Sequence, residues 1–389
     1  MAPGLAGTSA TERAASGVGS QRALARIDLG ALSHNVGEIR RLVGSDVRLC
    51  AVVKADAYGH GAAAVARHLV RCGVDSLAVA SFEEAAALRD AGISTKILVF
   101  GALAGSEVGE AVRLGLTPSI ASLDAAAELA SSVGSSRIRV HLKFDTGMRR
   151  MGIDPDEVPR LLKTLEGHAI EIEGIYSHLA HGDTPGHESL VAQREELQRA
   201  VATLEAAGHE PRLRHIANSA GLLADPATHL EMVRCGIALY GGMPHPSFSA
   251  QAELRPVMEL LSRVVQVRSI EAGSGIGYGH SWRAPRDSRI AVLPIGYGQG
   301  YLRSLSNRGY TQVRGRLAPI VGTISMDHTM IDVTAAGGVQ PGDEVVLWGG
   351  RSEGAPDVME LAERAGTIGY ELLTRVGNSI PRTYIEPFG

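Results

Sequence analysis

From residue 47 onward the chain alternates short apolar runs with longer stretches of helical spacing. Val47–Val53 (VRLCAVV) is almost continuously apolar, which suits a parallel strand buried on both faces. Similar runs lie at Leu77–Ala80, Lys96–Phe100, Leu116–Ile120, Ile138–Phe144, Ile170–Tyr176, Leu213–Ile216 and Leu230–Val233. Ala-, Glu- and Leu-rich stretches separate them, among them Phe82–Ala91, Leu123–Val133, Pro155–Leu165 and His187–Ala207. Eight strand–helix units over roughly 220 residues predict an α/β fold built on a (β/α)8 TIM-like barrel. Ahead of them, Ala25–Leu29 reads as a short strand. Ala31–Val43 reads as a helix, with Leu32, Val36, Ile39 and Val43 on one face and Asp28 placed to cap it.

The texture changes near Gln251. Leu260–Ile270 partly alternates with period 2, and Arg289–Ile295, Thr311–Val313, Ile320–Ile324, Thr329–Val333 and Glu344–Leu347 are short β-rich runs broken by Gly, Pro and Asp. One helical stretch, Val358–Ala365, interrupts them. The expected organisation is a leader at 1–22, a barrel domain at 23–250 and a mainly-β domain at 251–389. Met1–Ser20 is mostly Ala, Gly, Ser and Thr and lacks the basic start and apolar stretch of a signal peptide, so it reads as a disordered leader.

Composition narrows the function classes. The 389 residues are 44% hydrophobic and 21% charged, with a net charge of −4. No basic field is present to attract phosphate backbones, so nucleic acid is not an expected partner. No apolar stretch reaches the roughly 18 residues that a membrane span needs. Cys50, Cys72 and Cys235 are scattered and odd in number, which fits a reducing cytoplasm and offers no metal-ligand spacing.

In a barrel, chemistry gathers at the carboxyl ends of the strands. Lys54 follows the first apolar run, and Tyr58, Gly59, His60 and Gly61 follow it in what reads as a flexible loop. Such a lysine either reaches solvent or, if desolvated, serves as a Schiff-base nucleophile and base. His141–Gly152 (HLKFDTGMRRMG) carries Lys143, Asp145 and Arg150 beside a turn glycine. His178 ends the next strand, with His181 as a competing candidate. Asn218 and Ser219 follow one strand, and Arg234, Gly236 and Ile237 end another. The loops after the last two barrel strands often hold phosphate. In the β-rich half, Tyr278 stands between two glycines and Tyr297 lies in PIGYGQGY. Each string alone also reads as loop punctuation. Asp145 and Asp183 are the obvious strand-end carboxylates for a hydrolase, and nothing in the sequence pairs them.

Taken together, VVKADAYGHG, the LKFDTGM segment with Arg150, IYSHLA, RHIANSA, VRCGIALY, GIGYGHSW, GTISMDH and GYEL resemble, in order over roughly residues 24–386, the motifs of the alanine racemase family. That resemblance implies a pyridoxal 5'-phosphate enzyme held by Lys54, Tyr58, His178, Asn218, Ser219, Arg234, Gly236, Ile237 and Tyr370. It implies Lys54 and Tyr278 as the two bases. Arg150 and Met326 are the implied substrate-binding residues, and Lys143 is implied to be carbamylated. It further implies a cytoplasmic homodimer with shared active sites, in which Tyr278, Met326 and Asp327 enter from the other subunit, racemising alanine and supplying D-alanine for peptidoglycan. Three positions depart from the family pattern: Arg149 where glycine is usual, Ser325 where cysteine is often found, and Gly298–Gln299 where Ala-Asp is commoner. A related barrel decarboxylase, or a cofactor-binding regulatory barrel, remains the alternative. The decarboxylase shares the barrel-plus-β architecture but predicts carbon dioxide release and a different set of motifs, which the sequence lacks, and the regulatory barrel need not keep Tyr278 or the β-rich half.

Overall fold

The computed structural model describes residues 21–350 and 354–386. The leader expected at Met1–Ser20 lies outside the described residues. Two compact units are present. One is Leu32–Arg255, and the other joins the residues up to Ala31 to those from Pro256 onward. The first strand, β1 (Ala23–Asp28), therefore belongs with the C-terminal half, although the sequence pattern groups it with the barrel domain.

Within Leu32–Arg255, eight parallel strands follow one another: β2 (Arg48–Val52), β3 (Ser76–Val79), β4 (Ile97–Val99), β5 (Thr117–Ile120), β6 (Ile138–Lys143), β7 (Ile170–Tyr176), β8 (Leu213–His215) and β9 (Met232–Cys235). They pair in the order β8-β7-β6-β5-β4-β3-β2-β9. Two backbone bonds draw the ends of this sheet together: Arg234 N–H donates to Ala217 O at 3.0 Å, and Glu231 N–H to Arg214 O at 3.2 Å. The expected (β/α)8 barrel is present. Its apolar strands are buried on both faces, with Leu49, Ala51, Leu77, Ile97, Val140 and Ile175 all fully enclosed.

Local chemistry sets the connecting helices. Ser81 Oγ accepts the Glu84 N–H and Ser122 Oγ accepts the Ala125 N–H, each closing the first turn of its helix. Asp28 accepts the Ala31 N–H at 3.0 Å, the cap the sequence suggested for helix Leu29–Val43.

The remaining strands are β10 (Met258–Arg263), β11 (Gln266–Ile270), β12 (Gly275–Ile276), β13 (Trp282–Arg283), β14 (Ser288–Leu293), β15 (Tyr310–Val313), β16 (Arg316–Pro319), β17 (Thr329–Asp332), β18 (Glu344–Trp348) and β19 (Arg382–Ile385). Six of them, β16-β15-β18-β10-β1-β19, make one sheet, and β11-β14-β17 make a second. This is the expected mainly-β domain, with helix Val358–Ala365 matching the sequence reading residue for residue. Two details differ. The run Leu260–Ile270 is two strands in two sheets, broken at Val264 and Val265. Ile320–Ile324 contributes only an isolated bridge from Ile320 to Ile331.

Candidate active site

Lys54 opens a turn that the sequence does not announce. Ala55, Asp56, Ala57 and Tyr58 have φ between 52° and 54° and ψ between 41° and 53°, a left-handed helical turn built from non-glycine residues. Each such residue costs about 1–2 kcal/mol, because Cβ crowds the following carbonyl oxygen. The surroundings hold the turn in place. Ala57 N–H donates to Val53 O, and Gly61 N–H to Asp56 O. Glu84 accepts the N–H groups of both Ala55 and Ala80 at 2.6 and 2.7 Å. The Tyr58 ring stacks on Tyr240 with centroids 4.8 Å apart, and the Tyr240 hydroxyl donates to Val52 O. The flexible loop expected here is instead a clamped turn. It fixes the direction in which Lys54 leaves the barrel rim. Burial and the nearby Arg150 guanidinium both lower the Lys54 amine, against a smaller opposing pull from Glu84.

The neighbouring strand ends are rich in cations. Lys143 ends β6, and burial, then Arg150, then Arg234 bring its amine down to about 8. Burial would raise the Asp145 carboxyl. The N–H groups of Arg149, Gly147 and Arg150 outweigh it and hold that carboxyl low. This carboxylate is committed to its own loop and is not half of a catalytic carboxylate pair. Arg149 takes the left-handed backbone, φ 57°, and bears on Asp145. Arg150 bears on Lys54, Lys143 and His178.

His178 follows β7. Burial, Arg234 and Arg150 push its imidazole down to about 3, so it is neutral. Its Nδ1 lies 3.4 Å from Arg234 Nη2, and its Nε2 lies 3.5 Å from the Asn218 amide. His181, the competing candidate, stacks instead on His187 with centroids 4.0 Å apart. Arg234 is buried, and burial lowers its guanidinium to about 10. It donates to Ser177 O, Ile216 O and His215 Nδ1, and lies over the Tyr176 ring.

Beside this group, the ends of β8 and β9 form a cradle. Ser219 Oγ accepts the N–H groups of Gly236 and Ala238 at 2.9 and 3.3 Å, while Asn218 caps the next helix through Gly221 N–H. Gly236 is needed for space, because a Cβ there would collide with the Tyr58 hydroxyl. Tyr58, Ser219, Gly236 and the start of the Ile237–Tyr240 turn therefore meet. Hydroxyl and backbone N–H donors beside four cations make a site suited to an anion. These residues fit a phosphorylated cofactor with a carbonyl for Lys54. Among the described residues, no group of three or more His, Cys, Asp or Glu is placed to hold a metal ion.

The other unit carries its own cluster. Tyr278 sits in a short turn between Gly277 and Gly279, with φ of 66° and 69°, and is 75% exposed. Its carbonyl accepts from Thr323 Oγ1. Tyr297 N–H donates to Ser325 O, and Gly298 N–H to Met326 O, sewing these loops together. Tyr297 and Met326 are also exposed. Asp327 is held by Arg22 at 2.7 Å and by Gln299. Tyr370 lies in helix Gly369–Thr374. The sequence reading missed Glu84, Tyr176, His141 and His215. For Tyr176, His141 and His215 the available signal was a polar residue inside an apolar strand, which burial forces to find a partner, whereas Glu84 lies in helix Phe82–Asp90 and gave no such signal.

Residues 27–244 match the family described as "Alanine racemase, N-terminal domain", and residues 257–384 match "Alanine racemase, C-terminal domain". Alanine racemase of Desulfovibrio desulfuricans is 39% identical over 93% of this chain and 98% of its own length. That of Symbiobacterium thermophilum is 41% identical over 92% and 96%. The crystal structure of alanine racemase from D-cycloserine-producing Streptomyces lavendulae superposes with a TM-score of 0.90 at 35% identity, covering 94% of this chain and 98% of that one.

Proposed function

This chain belongs to the alanine racemase family of pyridoxal-phosphate-dependent isomerases, and on that premise we propose that it interconverts L-alanine and D-alanine with Lys54 and Tyr278 as its two bases. The observation that carries this reading is the amine of Lys54, lowered and aimed from a clamped turn, among cations that await an anion. When bound, pyridoxal phosphate supplies a carbonyl for amine exchange and a conjugated ring that spreads the charge left by α-proton removal.

The residues then divide the work. Tyr58, Asn218, Ser219, Gly236 and Ile237 would hold the phosphate, and Tyr370 is assigned to it by family likeness alone. Arg234 would offer an N–H to the ring nitrogen and would keep its own proton, since burial lowers its guanidinium only to about 10. His178, held against Arg234 and Asn218, would pack beside the ring. Arg150 binds the substrate carboxylate, for which its planar fork is suited. The Met326 side chain narrows the pocket around a small substrate. The Lys54 amine moves the α-proton on one face of the substrate and the Tyr278 phenol moves it on the other. With three cations bearing on it and an amine brought to about 8, Lys143 has a neutral fraction able to add to carbon dioxide. Nitrogen forms the bond to carbon and releases a proton, leaving a carbamate to face Arg150.

Tyr278 acts from a partner subunit in a homodimer. Its exposure within its own unit, shared with Tyr297 and Met326, supports this placement. The enzyme works in the cytoplasm, where its three free cysteines suit a reducing setting, and supplies D-alanine for peptidoglycan. No helix among the described residues is long and apolar enough to cross a membrane.

The test is chiral chromatography of single amino acids incubated with the cofactor-loaded protein. L- and D-alanine should each approach the same mixture. The Lys54→Ala variant should lose both activity and the visible absorbance of bound cofactor. Unchanged alanine enantiomers with wild-type protein would overturn the substrate assignment, and a retained absorbance band would overturn that of Lys54.

A further inference from the structure

Beneath Arg234 the barrel interior holds a row of polar side chains that the reaction does not directly require. Arg234 Nη1 lies 2.9 Å from His215 Nδ1, and His215 Nε2 lies 2.8 Å from His141 Nδ1. His141 Nε2 faces Glu173 Oε2 at 3.6 Å. The other Glu173 oxygen is paired with the Lys96 ammonium. Arg234, His215 and His141 are all buried. Neither His141 Nε2 nor Glu173 Oε2 has a hydrogen-bond partner among the described residues, so the pair faces only itself.

The chemistry gives this row a direction. A guanidinium has donors and no acceptor, so His215 must present a lone pair at Nδ1. A neutral His215 then carries its proton on Nε2 and donates to His141 Nδ1. His141 in turn carries its proton on Nε2, pointing at the Glu173 carboxylate. Every group in the row is determined once its two ends are a cation that donates and an anion that accepts. Burial lowers both imidazoles, with Arg234 acting on each as well and Glu173 opposing it at His141, while His141 and Lys96 hold the Glu173 carboxyl at about 2.

The backbone is shaped to admit the row. β6 and β7 slip register between Val140 and His141. On β7, Gly174 lies beside the His141 ring, and a Cβ there would stand 2.8 Å from His141 Cε1. The His215 ring lies flat on Tyr176, 6° from parallel, and the Tyr176 hydroxyl is tied to Ser119.

We propose that Glu173, acting through His141 and His215, is a positioning residue for Arg234. The carboxylate sets both histidine tautomers, so that a lone pair and never an N–H meets the guanidinium. With His215 in the other tautomer, two donors would oppose each other in a buried site, and Arg234 would turn away. The consequence for the cofactor ring rests on the function proposed above; the tautomers do not.

The test is ring 15N NMR of histidine-labelled, cofactor-loaded protein, with kcat, KM and melting temperature measured alongside. In wild type, His141 and His215 should both be neutral with the proton on Nε2. Glu173→Gln keeps the shape and removes the charge. It should place protons on Nδ1 in a measurable fraction of one or both rings. It should also lower kcat roughly tenfold or more, with less effect on KM. Glu173→Asp, which restores the charge, should return the wild-type tautomers. A wild-type His215 protonated on Nδ1 or on both nitrogens would overturn the proposal, and that measurement needs no variant to fold. Unchanged tautomers and kcat in a folded Glu173→Gln would also overturn it. Absence of racemase activity in wild type would instead count against the proposed function and leave the tautomer result standing.

Discussion

His178 is a base that the folded chain keeps from its proton. Burial, Arg234, Arg150, Lys143 and Lys54 bring its imidazole to about 3, whereas a histidine in the unfolded chain titrates near 6.5. Between those values the unfolded chain binds more protons than the folded one. Stability therefore rises with pH across that window and is lost as pH falls from about 6.5 towards 3, by up to about 1.4 kcal/mol per unit. His215 and His141 add in the same direction. The melting temperature should fall between pH 7 and 4.5, and His178→Gln should flatten part of that fall. Parallel curves for the two proteins would exclude His178 as a source. The sequence pointed to His178 because it ends an apolar strand. The preference for His178 over His181 came from resemblance alone, and the geometry supplies the reason. One ring lies against Arg234 and the other stacks on His187 in a loop.

At the scale of elements, Lys54–Gly59 is the informative stretch. Its composition, with alanines and flanking glycines, suggests a loose connection. Four successive left-handed residues are tolerated only because Glu84, Tyr240 and the backbone at Val53 and Gly61 hold them. Those partners are set by folding and not by neighbours in sequence. Ala55 is exposed, so its replacement disturbs no core packing. Ala55→Val should nonetheless lower stability by about 1–2 kcal/mol in denaturant unfolding, because a β-branched side chain fits the left-handed region poorly. Ala55→Gly should hold stability within about 1 kcal/mol of wild type. Equal stability of all three proteins would show that the turn carries no strain. β1 makes the same point differently. Its period and length mark a strand, but its partners, Met258–Ser262 and Arg382–Ile385, lie more than 200 residues along the chain. No local pattern says which sheet it joins.

For the whole molecule, the proposal to test is that Tyr278 of one subunit serves Lys54 of another. If the phenol comes from a partner subunit, inactive Lys54→Ala and Tyr278→Phe proteins should complement each other when mixed under conditions of subunit exchange. Random pairing leaves one intact site in half of the dimers, so activity should recover to about a quarter of wild type. No recovery, with exchange demonstrated, would place both bases in one chain. By itself, the sequence determined the α/β barrel and the β-rich half, because apolar period and strand count survive in any linear reading. It also marked the candidate side chains for the proposed reaction, because cations and hydroxyls at the ends of apolar strands stand out against them. Tertiary structure alone decided the handedness of the Lys54 turn, the sheet that β1 joins, and the row from Arg234 to Glu173. Those features depend on contacts between residues distant in sequence, whose free energies exist only once the chain has closed around them.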